Sequence, residues 1–116
     1  MPEIILYGIH NCDTVKKARQ WLDQHSVSYK FHDFRKDGLS ADQIKVWIDK
    51  LGWTALVNKR STTWKTLDHS VRDTLNDQSA IEVILASPTL IKRPLLVVGE
   101  HCCTGFKVAD YQALLL

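Results

Sequence analysis

The residues whose types and spacing best suit chemistry are Cys12 and the cations placed to attend its sulfur. Cys12 stands in Leu6-Tyr7-Gly8-Ile9-His10-Asn11-Cys12-Asp13-Thr14-Val15, where an apolar run ends at a glycine and an amphipathic segment begins just past the thiol. This spacing puts the sulfur at a helix N-terminus. There the unpaired backbone N–H groups and the positive end of the helix dipole favour the thiolate, the form that attacks disulfides and oxyanions. On spacing alone a cysteine at a helix start is more often an inert packed or tolerated polar position than a nucleophile, so its neighbours decide. His10, two residues upstream, is either a proton acceptor for the thiol or a cap of the loop, and Asn11 lies between them. Further cations stand at Arg93, immediately before Pro94, and at Lys59 and Arg60 in Asn58-Lys59-Arg60-Ser61. Lys59 suits a solvated turn as well as a binding site, whereas Arg60 is read as functional.

The elements that must position these groups follow from periodicity. Glu3 to Tyr7 reads as a buried strand broken by Gly8. Val15, Ala18, Leu22 and His25 recur at helical spacing with Trp21 beside them, which predicts a helix from about Thr14 to His25. Val27, Tyr29 and Phe31 alternate with polar residues up to Asp37-Gly38, a second strand, so the opening is a right-handed parallel βαβ unit. Ser40-Ala41-Asp42-Gln43 is a capping box ahead of Ile44, Trp47, Ile48 and Leu51, and Gly52 ends that helix. Ser79-Ala80-Ile81-Glu82 repeats the pattern before a helix stopped at Ser87-Pro88, with shorter helical pieces between Thr62 and Leu75. From Pro94 the strand pattern returns as a hairpin, Leu95–Val98 and His101–Thr104 about Gly99-Glu100, and Val108–Leu116 offers a closing helix. The tryptophans Trp21, Trp47, Trp53 and Trp64 are expected to fill the core.

Composition excludes several classes. The chain has 116 residues, 45% hydrophobic and 24% charged, enough for one domain. A net charge of +2 argues for neither nucleic acid nor an anionic membrane as partner. No apolar run has a spanning length, and the first residues lack the pattern of a signal peptide, so a cytoplasmic location is expected. Three cysteines, two of them adjacent, do not make a disulfide scaffold. Neighbouring cysteines on a strand point to opposite faces, so Cys102 and Cys103 with His101 are not expected to hold a metal. At most one of them faces inward, as packing.

The order βαβ, helices, ββα is that of an α/β thioredoxin-like fold with a mixed sheet and an all-helical insertion. Tyr7-Gly8-Ile9-x-x-Cys12-Asp13-Thr14-Val15-x-Lys17-Ala18-x-x-Trp21-Leu22 and Ile91-Lys92-Arg93-Pro94-Leu95 resemble the arsenate reductase (ArsC), Spx and YffB superfamily, the first segment most closely its YffB branch. The resemblance runs over essentially the whole chain and implies a single ArsC-like domain, with a core of about 1–36 and 88–116 and a helical insertion of about 39–87. It implies that Cys12 is the nucleophile and that Pro94 is cis and lies beside it. It also implies that Arg60 and Arg93 match arginines lining the oxyanion site of arsenate reductases. In such a fold the residue before the cis proline faces the thiolate, so Arg93 can hold a sulfur anion, a carboxylate or arsenate oxygens.

Two departures from the superfamily shape the expected mechanism. Position 15 is Val, so the Cys-x-x-Cys dithiol is missing and a second thiol must come from outside. At Gly105-Phe106-Lys107 the chain has no counterpart of the third arginine of arsenate reductases, and a lysine lacks the bidentate fork that oxyanions prefer. The leading expectation is a glutathione-dependent thiol reductase with Cys12 and Arg93 in the reaction. Arg60, Lys107, Pro94, Asn11, Lys59 and His10 would line the glutathione site, glutathione would be co-substrate, and no cofactor would be tightly bound. Glutaredoxin is a further candidate partner, and a monomer is expected. The alternatives are an arsenate reductase linked to glutathione and glutaredoxin, and an Spx-like regulator that binds RNA polymerase without turnover.

Overall fold

In chain order the elements are β1 (Ile4–Gly8), α1 (Asp13–Gln24), β2 (Lys30–Asp33), α2 (Ala41–Leu51), α3 (Trp53–Leu56), α4 (Thr62–Thr66) and α5 (His69–Asp73). They continue with α6 (Asp77–Ala86), a 3-10 turn at Pro88–Leu90, β3 (Leu95–Val98), β4 (His101–Thr104) and α7 (Val108–Leu115). This computed structural model describes residues 3–116. They divide into two units, one running to Asp37 and resuming at Arg93–Leu116, the other Gly38–Lys92.

The first unit holds a four-stranded sheet in the order β2-β1-β3-β4. β1 runs parallel to β2 and antiparallel to β3, which pairs antiparallel with β4, so the sheet is mixed and the βαβ and ββα halves meet in it. Alternation sorts the side chains of each strand between the two faces of the sheet. Leu6, Leu96 and Val98 pack with Ala18, Trp21 and Leu22 of α1 and with Tyr111 of α7, and burial of such side chains contributes roughly 1.5–3 kcal/mol each. Trp21 and Phe106 both meet the Tyr111 ring edge-on, at 5.6 and 4.9 Å between centroids. The hairpin closes at Val98 and His101 through Gly99-Glu100, and Gly99 takes the positive φ of 60° that a tight antiparallel turn asks of its first position.

β2 begins at Lys30 rather than near Val27. The chain there is committed to ending α1: Ser26 N–H donates to the Asp23 carbonyl and Val27 N–H to that of Leu22, with Ser26 left-handed at φ 54°. This is a Schellman closure, and its backbone cannot also join the ladder. Val27 and Tyr29 still pack against the core from the loop.

In the second unit the Ser40 capping box forms as expected, Ser40 Oγ accepting from Gln43 N–H and Gln43 Oε1 from Ser40 N–H. Ile44, Trp47 and Ile48 are the buried stripe of α2, which packs against α6. The cap of α6 is Asn76, not Ser79. Asn76 Oδ1 accepts from Gln78 and Ser79 N–H at 2.9 Å, and Ser79 Oγ returns an acceptor to Asn76 N–H, so Ser79 is the third helical residue, the closing side of the box. α3 had no separate signal in the sequence. Residues 88–92, expected with the sheet half, fold with the helices: Ile91 bridges Val57, Asn58 N–H donates to Leu90 and Lys92 N–H to Leu56. Only Trp21 and Trp47 are core residues; Trp53 and Trp64 are half-buried and stack on one another at 6.4 Å. Among the described residues no helix is long and apolar enough to cross a membrane.

Candidate functional site

Strand register brings the chemistry to one end of the sheet. Gly8 pairs with Asp33, Tyr7 with Leu95, and Leu95 with Thr104. The loop from β1 to Cys12, the turn after Asp33, Arg93-Pro94 before β3 and Gly105-Phe106-Lys107 after β4 therefore all leave from that end. Gly105 N–H donates to the Pro94 carbonyl at 2.9 Å and ties the last two together. Of the site residues expected from sequence, His10, Asn11, Cys12, Arg93, Pro94 and Lys107 share this end.

Cys12 is the N-cap of α1, with extended backbone (φ −109°, ψ 127°) and a carbonyl that accepts from Lys16 N–H at 3.0 Å. Its side chain is half-buried and caps no amide. The expectation that amide protons hold the sulfur is corrected to that extent, because a neutral thiol is a weak acceptor beside the oxygens that usually cap helices. The first-turn amides still direct their partial positive charge toward the sulfur's end of the helix. Gly8 permits the close approach of strand and helix: a Cβ there would meet Val15 Cγ2 at 2.8 Å. The Arg93–Pro94 peptide bond is cis. Pro94 is buried and Arg93 half-buried, and the guanidinium pairs with no carboxylate among the described residues. Asn11 and Lys107 are exposed, and Lys107 is the N-cap of α7.

The site also contains a residue that the sequence reading passed over. Asp33, 3% exposed, is the one buried charged side chain among the described residues. Its Oδ1 accepts from the backbone N–H groups of Arg35 at 2.8 Å and Lys36 at 3.3 Å, and its Oδ2 meets His10 Nδ1 at 2.9 Å and His10 N–H at 3.4 Å. Burial raises its pKa, but the His10 side chain and these three amides outweigh that and hold the carboxyl at about 2. Asp33 is thus an acceptor-only carboxylate near neutrality, which requires His10 Nδ1 to carry the proton of the contact. The sequence signal was weak: an Asp at a strand end before a turn reads as turn chemistry, which half of its carboxylate indeed performs.

The remaining thiols belong elsewhere. Cys103 pairs in register with Leu96 and packs against the core. Burial, with smaller contributions from Asp110 and Cys102, pushes its thiol up to about 11. All three cysteines are free of disulfides. Lys59 and Arg60 lie in the helical unit, in the turn between α3 and α4. The Lys59 ammonium stands over Trp53 and Trp64, 5.2 and 5.9 Å from their ring centres, so the balance left open in the sequence includes a packing role. Arg60 is exposed, its backbone N–H bonded to Asn58 Oδ1 at 3.0 Å.

A mixed sheet with this connectivity, a cysteine at the N-cap position of α1 and a cis proline at one sheet end make this a thioredoxin-like α/β protein. The ArsC family pattern matches residues 7–114, and the chain belongs to that family. It is 46% identical over 110 residues to an uncharacterized protein of Haemophilus influenzae, covering 95% of this chain and 96% of that one. It is 28% identical over 114 residues to the global transcriptional regulator Spx of Listeria innocua, covering 97% of this chain and 86% of that one. Among solved structures it is similar to a YffB protein, with 42% identity, a TM-score of 0.94, and 97% and 99% of the two chains covered.

Proposed function

We propose that this protein is a glutathione-dependent thiol reductase with a single nucleophilic cysteine. The Cys12 sulfur attacks the glutathione sulfur of a substrate's glutathione mixed disulfide, the S–S bond breaks and the substrate sulfur leaves as thiolate. A glutathione thiol then attacks the Cys12-bound glutathione sulfur and departs as oxidised glutathione, which frees the Cys12 sulfur. Arg93 steadies the sulfur anion, and Lys107 binds a carboxylate of the peptide. Asn11, His10 and Pro94 complete the lining of the site. The observation that carries this reading is the one half-exposed thiol at the sheet end shared with Arg93 and Pro94, with Val15 standing where a resolving thiol would be and the other two thiols on β4. Membership of the ArsC family supports redox chemistry in general. The missing second thiol means that an outside thiol must resolve the mixed disulfide, and glutathione fits that requirement.

Steady-state assays test it. Reduction of a glutathione mixed disulfide by reduced glutathione should proceed with the wild type and fail with Cys12→Ser. Turnover of arsenate with glutathione and glutaredoxin, abolished by the same substitution, would instead establish the arsenate reading. A second reading is favoured by one observation, the 28% identity to a transcriptional regulator. It makes the protein a regulator acting through RNA polymerase without turnover. Recovery of polymerase subunits in a pull-down, with no catalysis in either assay, would replace the reductase with that reading.

A further inference from the structure

Asp33 joins the chemistry of the sheet end through His10. We infer that Asp33 is a positioning residue that holds His10 in the Nδ1–H tautomer, leaving Nε2 as the proton carrier for thiols exchanging at Cys12; the inference rests on the reductase reading of that cysteine. Three observations support it. The carboxylate is buried and its four contacts are all donors: the ring Nδ1 and three backbone amides. Such a carboxylate accepts and never donates, so the imidazole must offer Nδ1–H, and in the neutral ring Nε2 is then the bare nitrogen. The His10 side chain is itself 58% exposed, while its partner is 5% exposed, so one ring edge is anchored in the fold and the other is open to an incoming group. Finally, His10 is two residues from Cys12 on the same loop, and the Gly8–Asp33 pairing fixes the base of that loop to β2.

The proton then has a defined course. An incoming glutathione thiol gives its proton to His10 Nε2 and its sulfur bonds to the glutathione sulfur of the mixed disulfide. The bond to Cys12 breaks, and the electron pair leaves on the Cys12 sulfur. His10 returns the proton to that sulfur, so the balance is one mixed disulfide and one thiol giving oxidised glutathione and the Cys12 thiol.

The test reads the tautomer first, because that measurement needs no activity. Long-range proton–nitrogen correlation spectra of imidazole-labelled protein at neutral pH should show His10 as the Nδ1–H form in the wild type. In Asp33→Asn the single amide oxygen cannot serve both the ring and the two turn amides, so the Nε2–H form should gain population. The second arm is the rate of Cys12 alkylation by iodoacetamide and of glutathione release from a preformed mixed disulfide. Both should fall at least tenfold in His10→Gln, which leaves Asp33 and its turn intact. A wild-type His10 in the Nε2–H form, or alkylation of Cys12 in His10→Gln at the wild-type rate, would overturn the inference. Failure of the mixed disulfide to form in wild type, with the tautomer and alkylation results as expected, would sink the reductase reading and leave the Asp33–His10–Cys12 relay standing.

Discussion

Asp33 Oδ2 lies 2.9 Å from His10 Nδ1 although the two residues are 23 positions apart in the chain. The parallel pairing of β1 with β2 makes them neighbours, since Gly8 and Asp33 are register partners. The contact therefore reports on both the sheet and the site.

That pair gives the fold a pH dependence with a definite sign. Asp33 drops from an ordinary 3.8 to about 2 on folding. A depressed carboxyl stabilises the fold above its unfolded value and loses the contribution as the pH falls through the folded one. The contribution is on the order of 2 kcal/mol above pH 4 and fades between about pH 4 and pH 2. Urea unfolding of wild type and Asp33→Asn across that range should show the wild type losing the larger amount of stability; parallel curves would contradict the assignment.

Gly8 is expected to tolerate no side chain. A Cβ would stand 2.8 Å from Val15 Cγ2, and Val15 is fully buried and stiff about its first torsion. Gly8→Ala should cost about 1–3 kcal/mol in chemical denaturation. Combined with Val15→Ala it should cost less than the sum of the two single changes, and simple additivity would show that the contact does not matter.

Lys59 gives a fluorescence test. With its ammonium over two stacked indoles, Lys59→Ala should change the tryptophan emission and destabilise the protein by roughly 0.5–1 kcal/mol, while Lys59→Arg should retain most of both. Unchanged emission in Lys59→Ala would mean the ammonium does not occupy that place in solution.

The cysteines should separate by reactivity. Cys103 is held as a thiol up to about 11 and is packed against the core, whereas Cys12 is half-exposed at a helix start. Peptide mapping after brief iodoacetamide treatment at pH 7.5 should find Cys12 labelled before Cys103. The reverse order would move the nucleophile to β4.

Local signals were legible wherever one segment contained its own answer. The stripe from Val15 to Leu22, the box at Ser40 and Gln43 and the hairpin about Gly99 each combine period, cap or turn chemistry within a dozen residues. The start of β2 was misread because Val27 and Tyr29 alternate like a strand while their backbone serves the end of α1. At α6, two cap-like residues three apart made Ser79 look like the beginning, although Asn76 uses it as the answering side of the same box. The site was half legible. Cys12, Arg93 and Pro94 announce themselves by spacing and resemblance, but Asp33 gains its role only from a pairing 23 residues distant. Likewise the indoles over Lys59 come from α3 and α4, and nothing in Asn58-Lys59-Arg60-Ser61 points to them.

The most direct measurement of the central claim is intact and peptide mass spectrometry after incubation with oxidised glutathione. The account predicts one glutathione bound as a mixed disulfide on Cys12, none on Cys102 or Cys103, and full release by reduced glutathione. An unmodified Cys12, or an adduct confined to the β4 thiols, would contradict it.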